Sequence, residues 1–258
     1  MCGRYSITSP VEALRQLFLF EELPNLQPRY NVAPTQEVPA VRLAKPDDDG
    51  GDEDRTQEPQ RSLVMLRWGL IPFWAKDAKI GYKTINARAE TVAEKPAFRE
   101  AFKKRRCLIL ADGFYEWRGA KDAKQAFRVT LADGGPFAFA GLWESWRDKT
   151  AEQRIESCTI IVTDANDYLS AVHERMPVIL TPDDHAAWLD PTAEPEALKA
   201  LLRPLPSEAV TATPVSSHVN KVANDDPRCL EPAGPPLDPA AESAPAAEKA
   251  ESAQGSLF

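Results

Sequence analysis

Cys107-Leu108-Ile109-Leu110-Ala111-Asp112-Gly113-Phe114-Tyr115-Glu116-Trp117 is the stretch from which the fold is read. Two runs of aliphatic and aromatic residues are parted by the turn residues Asp112 and Gly113, a pattern of strands rather than of helices. Similar short runs recur at residues 38–43, 63–68, 126–131, 137–142, 158–162, 178–180 and 209–213. Gly119-Ala120-Lys121-Asp122 and Ala132-Asp133-Gly134-Gly135 read as hairpin turns. Helices are fewer. Ser9 reads as an N-cap with Pro10 in the first helical position, and Val11, Leu14, Leu17 and Phe18 then fall on one face. Further helical patterns cover residues 96–104, 182–189 and 194–202. The expectation is an α+β domain, with antiparallel β-sheets in a distorted barrel-like core and helices at its rim.

The 258 residues, 43% of them hydrophobic, suffice for one domain and a tail. We expect the domain over residues 1–230, an acidic disordered loop inside it at 46–60, and a disordered acidic tail at 231–258. Both segments are rich in Asp, Glu, Pro, Gly, Ala or Ser and carry few large apolar groups to bury. Charge separates in the same way. The loop and tail carry −6 and −4 of a formal net charge of −8, which leaves the rest of the chain at +2. An acidic total therefore does not exclude a nucleic-acid partner. No apolar run approaches the ~20 residues that span a bilayer, and the N-terminus lacks a signal-peptide pattern, so a cytoplasmic protein with no membrane association is expected. Cys2, Cys107, Cys158 and Cys229 are widely spaced, and His173, His185 and His218 form no paired motif. Neither a disulfide framework, nor a metal site, nor a cofactor is expected.

The N-terminus carries the first chemical signal. Cysteine is small enough at position 2 for Met1 to be removed, which leaves an α-amine next to a thiol-bearing carbon. An α-amine has a pKa of about 8 against about 10.4 for lysine, so roughly a tenth is unprotonated near neutrality and can attack an aldehyde. The thiol can then close on the imine to give a five-membered thiazolidine. Internal cysteines lack the adjacent amine.

Several separated segments resemble one family. These are Met1-Cys2-Gly3-Arg4-Tyr5, Arg29-Tyr30-Asn31-Val32-Ala33-Pro34-Thr35, Trp68-Gly69-Leu70-Ile71-Pro72, Ile85-Asn86-Ala87-Arg88-Ala89-Glu90-Thr91, Asp112-Gly113-Phe114-Tyr115-Glu116-Trp117, and residues 173–180 beginning His173-Glu174-Arg175-Met176-Pro177. In this order they resemble the SRAP domain, named for SOS-response-associated peptidase. The resemblance implies covalent capture of abasic sites in single-stranded DNA, in the DNA damage response, by lyase-like Schiff-base chemistry. It places the nucleophile on Cys2 and supporting roles on Asn86, Glu116 and His173. Glu116, among Phe114, Tyr115 and Trp117, could have its carboxyl pKa raised by burial and serve as the acid and base that opens a closed abasic sugar. A salt bridge at a strand end is its ordinary alternative. His173 could shuttle a proton, and Asn86 could orient the amine or the sugar. Residues of these types are otherwise a structural histidine and a helix N-cap.

Within the same segments Arg4, Arg29, Arg88 and Arg175 are candidates for phosphate contacts, and Asn31 and Thr163 for contacts to the DNA backbone. Trp68, Pro72, Phe73 and Trp74 offer apolar surface. Trp68 reads as core, and Trp74 as a stacking residue for unpaired bases. Ala75 stands where relatives can carry a second tryptophan, which implies a smaller wedge. Two alternatives remain: a thiol autopeptidase using Cys2 and His173, and a non-covalent single-strand-binding module. Gln254-Gly255-Ser256-Leu257-Phe258 resembles the pentapeptide that binds the bacterial sliding clamp, although Gly255 departs from the usual Leu. Gln254, Leu257 and Phe258 would make that contact from a disordered tether. The protein itself is expected to be a monomer, associated with the nucleoid during DNA damage.

Overall fold

The computed structural model describes residues 2–44, 60–120, 123–148 and 154–238. Most of the acidic loop, Lys121-Asp122 of the first turn, and the tail with Gln254, Leu257 and Phe258 lie outside the described residues.

Chain order is β1 (Tyr5–Ile7), α1 (Val11–Phe18), β2 (Arg29–Val32), β3 (Glu37–Leu43), β4 (Arg61–Trp68), β5 (Asn86–Arg88), α2 (Arg99–Lys104), β6 (Arg106–Ala111), β7 (Gly113–Arg118), β8 (Gln125–Leu131), β9 (Phe137–Arg147) and β10 (Arg154–Asp164). It continues with α3 (Asp167–Ser170), β11 (Arg175–Pro177), β12 (Ile179–Leu180), α4 (Asp184–Leu189), α5 (Pro195–Ala200) and β13 (Val210–Pro214). Short 3-10 turns lie at Ala78–Lys83, Ser207–Ala209, Ser217–Asn220 and Pro227–Leu230.

The larger sheet closes on itself, because β10 pairs with both β4 and β9, so that β3, β4, β10, β9 and β6 form a ring. The β10–β4 pair is parallel, while β3–β4, β3–β6, β6–β9 and β9–β10 are antiparallel. The second sheet is five-stranded, in the order β13-β8-β7-β1-β2. Tyr5 and Phe114 of that sheet meet Phe139 of β9, at ring-centroid distances of 5.6 and 6.2 Å. The core is therefore shared between ring and sheet. All of β6 is buried, as an apolar run covered on both faces must be. Gly141 of β9 permits a close approach to β6, since a Cβ there would come within 2.8 Å of the Cys107 sulfur and of Ile109.

The α+β architecture and barrel-like core agree with expectation, and four details differ. Ala132-Asp133-Gly134-Gly135 does not close a hairpin: β8 and β9 belong to different sheets, and the turn carries the chain between them. The hairpin partner of β9 is β10, and both run well past the apolar segments that announced them. Ser9 does not cap α1. Its hydroxyl donates to Asp112 Oδ2 at 3.2 Å, Pro10 occupies the N-cap position, and the helix starts at Val11. The packed chain also continues past Leu230, since Ala233 N donates to Pro214 O at 2.8 Å and Leu237 N to Ala212 O at 2.9 Å, along the free side of β13. Among the described residues no helix is long and apolar enough to cross a membrane.

Candidate active site

The site forms where β1 runs out. Tyr5 pairs with Phe114 of β7, and the next rung is Tyr115 N donating to Arg4 O at 2.9 Å, so residues 2 and 3 continue alongside Glu116 and Trp117. Cys2 is fully buried there, and its thiol lies 3.8 Å from Arg4 O. Asn86 reaches the same point from β5, a three-residue strand held in parallel on β10. Its Nδ2 donates to Cys2 O at 2.8 Å, which fixes the first residues of the chain, while its Oδ1 is buried without a hydrogen-bond partner among the described residues. Asn86 is thus a strand residue rather than an N-cap.

Glu116 lies on β7 and is 5% exposed. Burial pushes its carboxyl above the usual carboxylate value, with the charge of His173 among the opposing influences. Burial likewise pushes the Cys2 thiol up, and the Glu116 carboxylate adds to the effect. These mutual influences place Cys2, Glu116 and His173 in one electrostatic neighbourhood. His173 follows α3, with its backbone N–H donating to Leu169 O at 3.0 Å. Its Nδ1 lies 2.9 Å from Arg175 N and 3.2 Å from Arg175 O, which ties the ring to the start of β11. The site therefore offers a nucleophilic residue, a carboxyl whose pKa burial raises, and an imidazole.

The DNA-contact candidates divide. Arg88 is exposed at the end of β5. Trp74 is 48% exposed beside Phe73 at 58%, and Trp68 is fully buried, as read from sequence. Arg4 is half-buried, with Nη1 donating to Asn31 Oδ1 at 2.8 Å and to Val219 O at 3.1 Å. Arg175 pairs with Glu90 and lies 3.4 Å from Asp164. Three candidates are held within the protein. Asn31 is 0% exposed, and its Nδ2 lies within 3.0 Å of the carbonyls of Val219, Lys221 and Asn224. Arg29 Nε donates to Asp225 at 2.5 Å, and the same carboxylate accepts from Tyr30 N and Asn31 N. Thr163 is 7% exposed within β10, paired opposite Met176. Buried polar groups need partners, and Asn31 and Arg29 find theirs in the protein.

Sequence reading missed what those partners form. Residues 216–231 make a strap across the outer face of the five-stranded sheet, where Val215, Val219 and Cys229 pack on Tyr115 and Ala126, with Trp117 against them. Asp225 and Asp226 carried the only local hint, and nothing near them in sequence points to Asn31. Among the described residues no cluster of His, Cys, Asp or Glu could hold a metal ion, and the four cysteines are free and buried.

The fold and this cluster define an α+β protein in which Asn86 and a buried Glu116 lie about its second residue. The family model of SOS response associated peptidase (SRAP) matches residues 1–222, and the chain belongs to that family. It is 41% identical over 236 residues to "Abasic site processing protein YoqW" of Bacillus subtilis (strain 168), covering 90% of this chain and 99% of that protein. It is 31% identical over 268 residues to "Abasic site processing protein HMCES" of Xenopus tropicalis, covering 89% of this chain and 78% of that one. Among solved structures, a protein from Bacteroides thetaiotaomicron superposes with a TM-score of 0.78 at 26% identity, over 90% of this chain and all of that one.

Proposed function

We propose that this protein captures abasic sites in single-stranded DNA covalently, through the α-amine and thiol of Cys2 after Met1 is removed, and so shields the lesion. The observation that supports this reading best is that Asn86 Nδ2 donates to Cys2 O at 2.8 Å while the buried carboxyl of Glu116 acts on the Cys2 thiol. The relatives' names point to the same substrate.

An abasic sugar is mostly a closed hemiacetal. Opening it takes one proton to the ring oxygen and removes one from the anomeric hydroxyl, and a buried carboxyl with a raised pKa is suited to both transfers. The Cys2 nitrogen then adds to the aldehyde carbon, and loss of water gives the imine. His173 is assigned the proton transfer to the freed sugar hydroxyl or to the departing water. Sulfur next adds to the imine carbon: an S–C bond forms, the π pair becomes a lone pair on nitrogen, and the thiol proton ends on that nitrogen. One aldehyde and one aminothiol give one thiazolidine and one water.

The buried thiol supports this order. A peptidase would need Cys2 as thiolate, which burial and the neighbouring Glu116 oppose. Amine attack needs no thiolate, and the thiol acts only on an electrophile already held beside it. Cys2→Ala abolishes the stable adduct on this reading, whereas Cys2→Ser keeps the amine and retains a weaker, imine-derived product. Unchanged crosslinking by Cys2→Ala would move the chemistry to a lysine.

The sliding clamp is proposed as a second partner, through Gln254, Leu257 and Phe258. A labelled peptide of residues 248–258 should bind clamp saturably, on the order of micromolar, and lose that binding when Leu257 and Phe258 become Ala. Equal binding by both peptides would make the tail a solubilising extension.

A further inference from the structure

Trp117 adjoins the reactive centre without being part of it. Successive residues of a strand face opposite ways, so Glu116 points into the core and Trp117 to the outer face of the five-stranded sheet. β1 begins at Tyr5, and the rung from Tyr115 N to Arg4 O brings the residues before it to the part of β7 that carries these two side chains, with Cys2 packed in the core. The Trp117 ring is held there from three sides. Its Nε1 donates to Asn220 Oδ1 at 2.8 Å, Tyr115 lies 6.5 Å away between ring centroids, and the Arg4 guanidinium carbon is 6.0 Å from its centroid. Asn220 belongs to the strap, and the strap is pinned by Asn31 and by Asp225. Arg4 is pinned by the same Asn31. One buried amide thus sets both the cation and the surface that frames the ring, while Trp117 stays partly exposed.

We propose that Trp117 is a stacking platform for the unpaired base next to the abasic sugar, with Arg4 taking the phosphate between them and Asn31 acting as the positioning residue for both. Deepening the covalent reading, the inference takes from it only the identity of the sugar at Cys2. Arg4, two residues from Cys2, lies over the Trp117 ring, so a strand joined at Cys2 that runs past Arg4 meets this partly exposed aromatic surface. Stacking on an aromatic ring accepts any base, as lesion capture without sequence preference requires. The arrangement also accounts for Asn31 lying in a family motif without surface to offer DNA: it builds the edge rather than touches the ligand.

The test uses the full chain and undamaged single-stranded oligothymidylate, so that binding is read without adduct formation. Trp117→Ala should weaken binding about tenfold by fluorescence anisotropy. Trp117→Phe, which keeps a ring in the same place, should restore most of that affinity and lose part of the tryptophan quenching seen when wild type binds. Asn31→Ala should reproduce the loss, and Arg4→Ala added to it should cost less than Arg4→Ala in wild type, since the two side chains share a hydrogen bond. On an abasic oligonucleotide, the Trp117→Ala defect should fall on the half-saturating concentration rather than on the limiting rate. If Trp117→Ala binds undamaged strand within twofold of wild type, or Trp117→Phe quenches as wild type does, Trp117 is only packing under the strap and the inference fails. Trp117-dependent binding by a wild type that forms no adduct would instead overturn the covalent reading and leave the platform standing.

Discussion

At the scale of single residues the account turns on Glu116. Its carboxyl is buried beside Cys2, and desolvation lifts its pKa from the ordinary 4.5. The sign follows directly. A raised pKa keeps the acid form present to higher pH, and that form is lost as pH rises through the raised value, while the Cys2 amine becomes nucleophilic only as pH rises towards about 8. The rate of adduct formation on the closed sugar should therefore pass through a maximum. Glu116→Gln should slow it on the order of 10²-fold and remove the limb that Glu116 controls. A pre-opened aldehyde should be affected far less, because no ring has to be opened. Equal slowing on the two substrates, measured by quenched time courses, would show that Glu116 acts after ring opening.

Among elements, β1 and β7 decide where the site lies, and Asp112 at the start of β7 holds them in register with the approach to α1. Its carboxylate accepts from Ser6 Oγ at 2.7 Å, from Thr8 Oγ1 at 2.8 Å and from Ser9 N at 2.9 Å, and it pairs with Arg128 at 3.1 Å. Burial alone would raise this carboxyl, but the hydrogen bonds from Ser6 and Thr8 and the charge of Arg128 hold it below its usual 3.8. Its contribution to stability is therefore complete above the unfolded-state value and fades as pH falls through the lower folded one. Asp112→Asn turns an amide towards the Thr8 and Ser9 donors and should cost about 3–5 kcal/mol at neutral pH. Denaturant unfolding should show that gap narrowing in acid. A loss under about 1 kcal/mol, or one that does not depend on pH, would make the cluster peripheral. The same elements mark what sequence could disclose. The apolar runs of β4, β6 and β7 were legible because burial on one or both faces writes a continuous or alternating pattern. Three-residue β1 and β5 were not, since they exist only through pairing with β7 and β10, distant in sequence. A Gly-rich turn such as 132–135 says that the chain reverses but not which sheet it enters next. Cys2, Asn86, Glu116 and His173 were legible through six ordered segments. The roles of Arg29 and Asn31 were not, because their partners lie more than 180 positions away in sequence.

For the whole molecule, the closed ring of β3, β4, β10, β9 and β6 is a rigid base, the five-stranded sheet is laid against it, and the reactive residue sits where the first strand of that sheet stops short. The strap, fixed through Asn31 and Asp225, completes the outer side of this opening. On the proposed reading a lesion enters with its flanking nucleotides turned away from Cys2, so crosslinking should be slower in continuous duplex than in single strand, and affinity should fall with salt. The central proposed event is the joining of both heteroatoms of Cys2 to one aldehyde carbon. Intact-protein mass spectrometry after incubation with an abasic single-stranded oligonucleotide tests it most directly. The account predicts a chain lacking Met1 joined to the oligonucleotide with loss of one water, a product stable to heat, and no such product from Cys2→Ala or from protein whose mature N-terminus has been acetylated. A heat-stable adduct formed equally well by the acetylated protein, again with loss of one water, would contradict it.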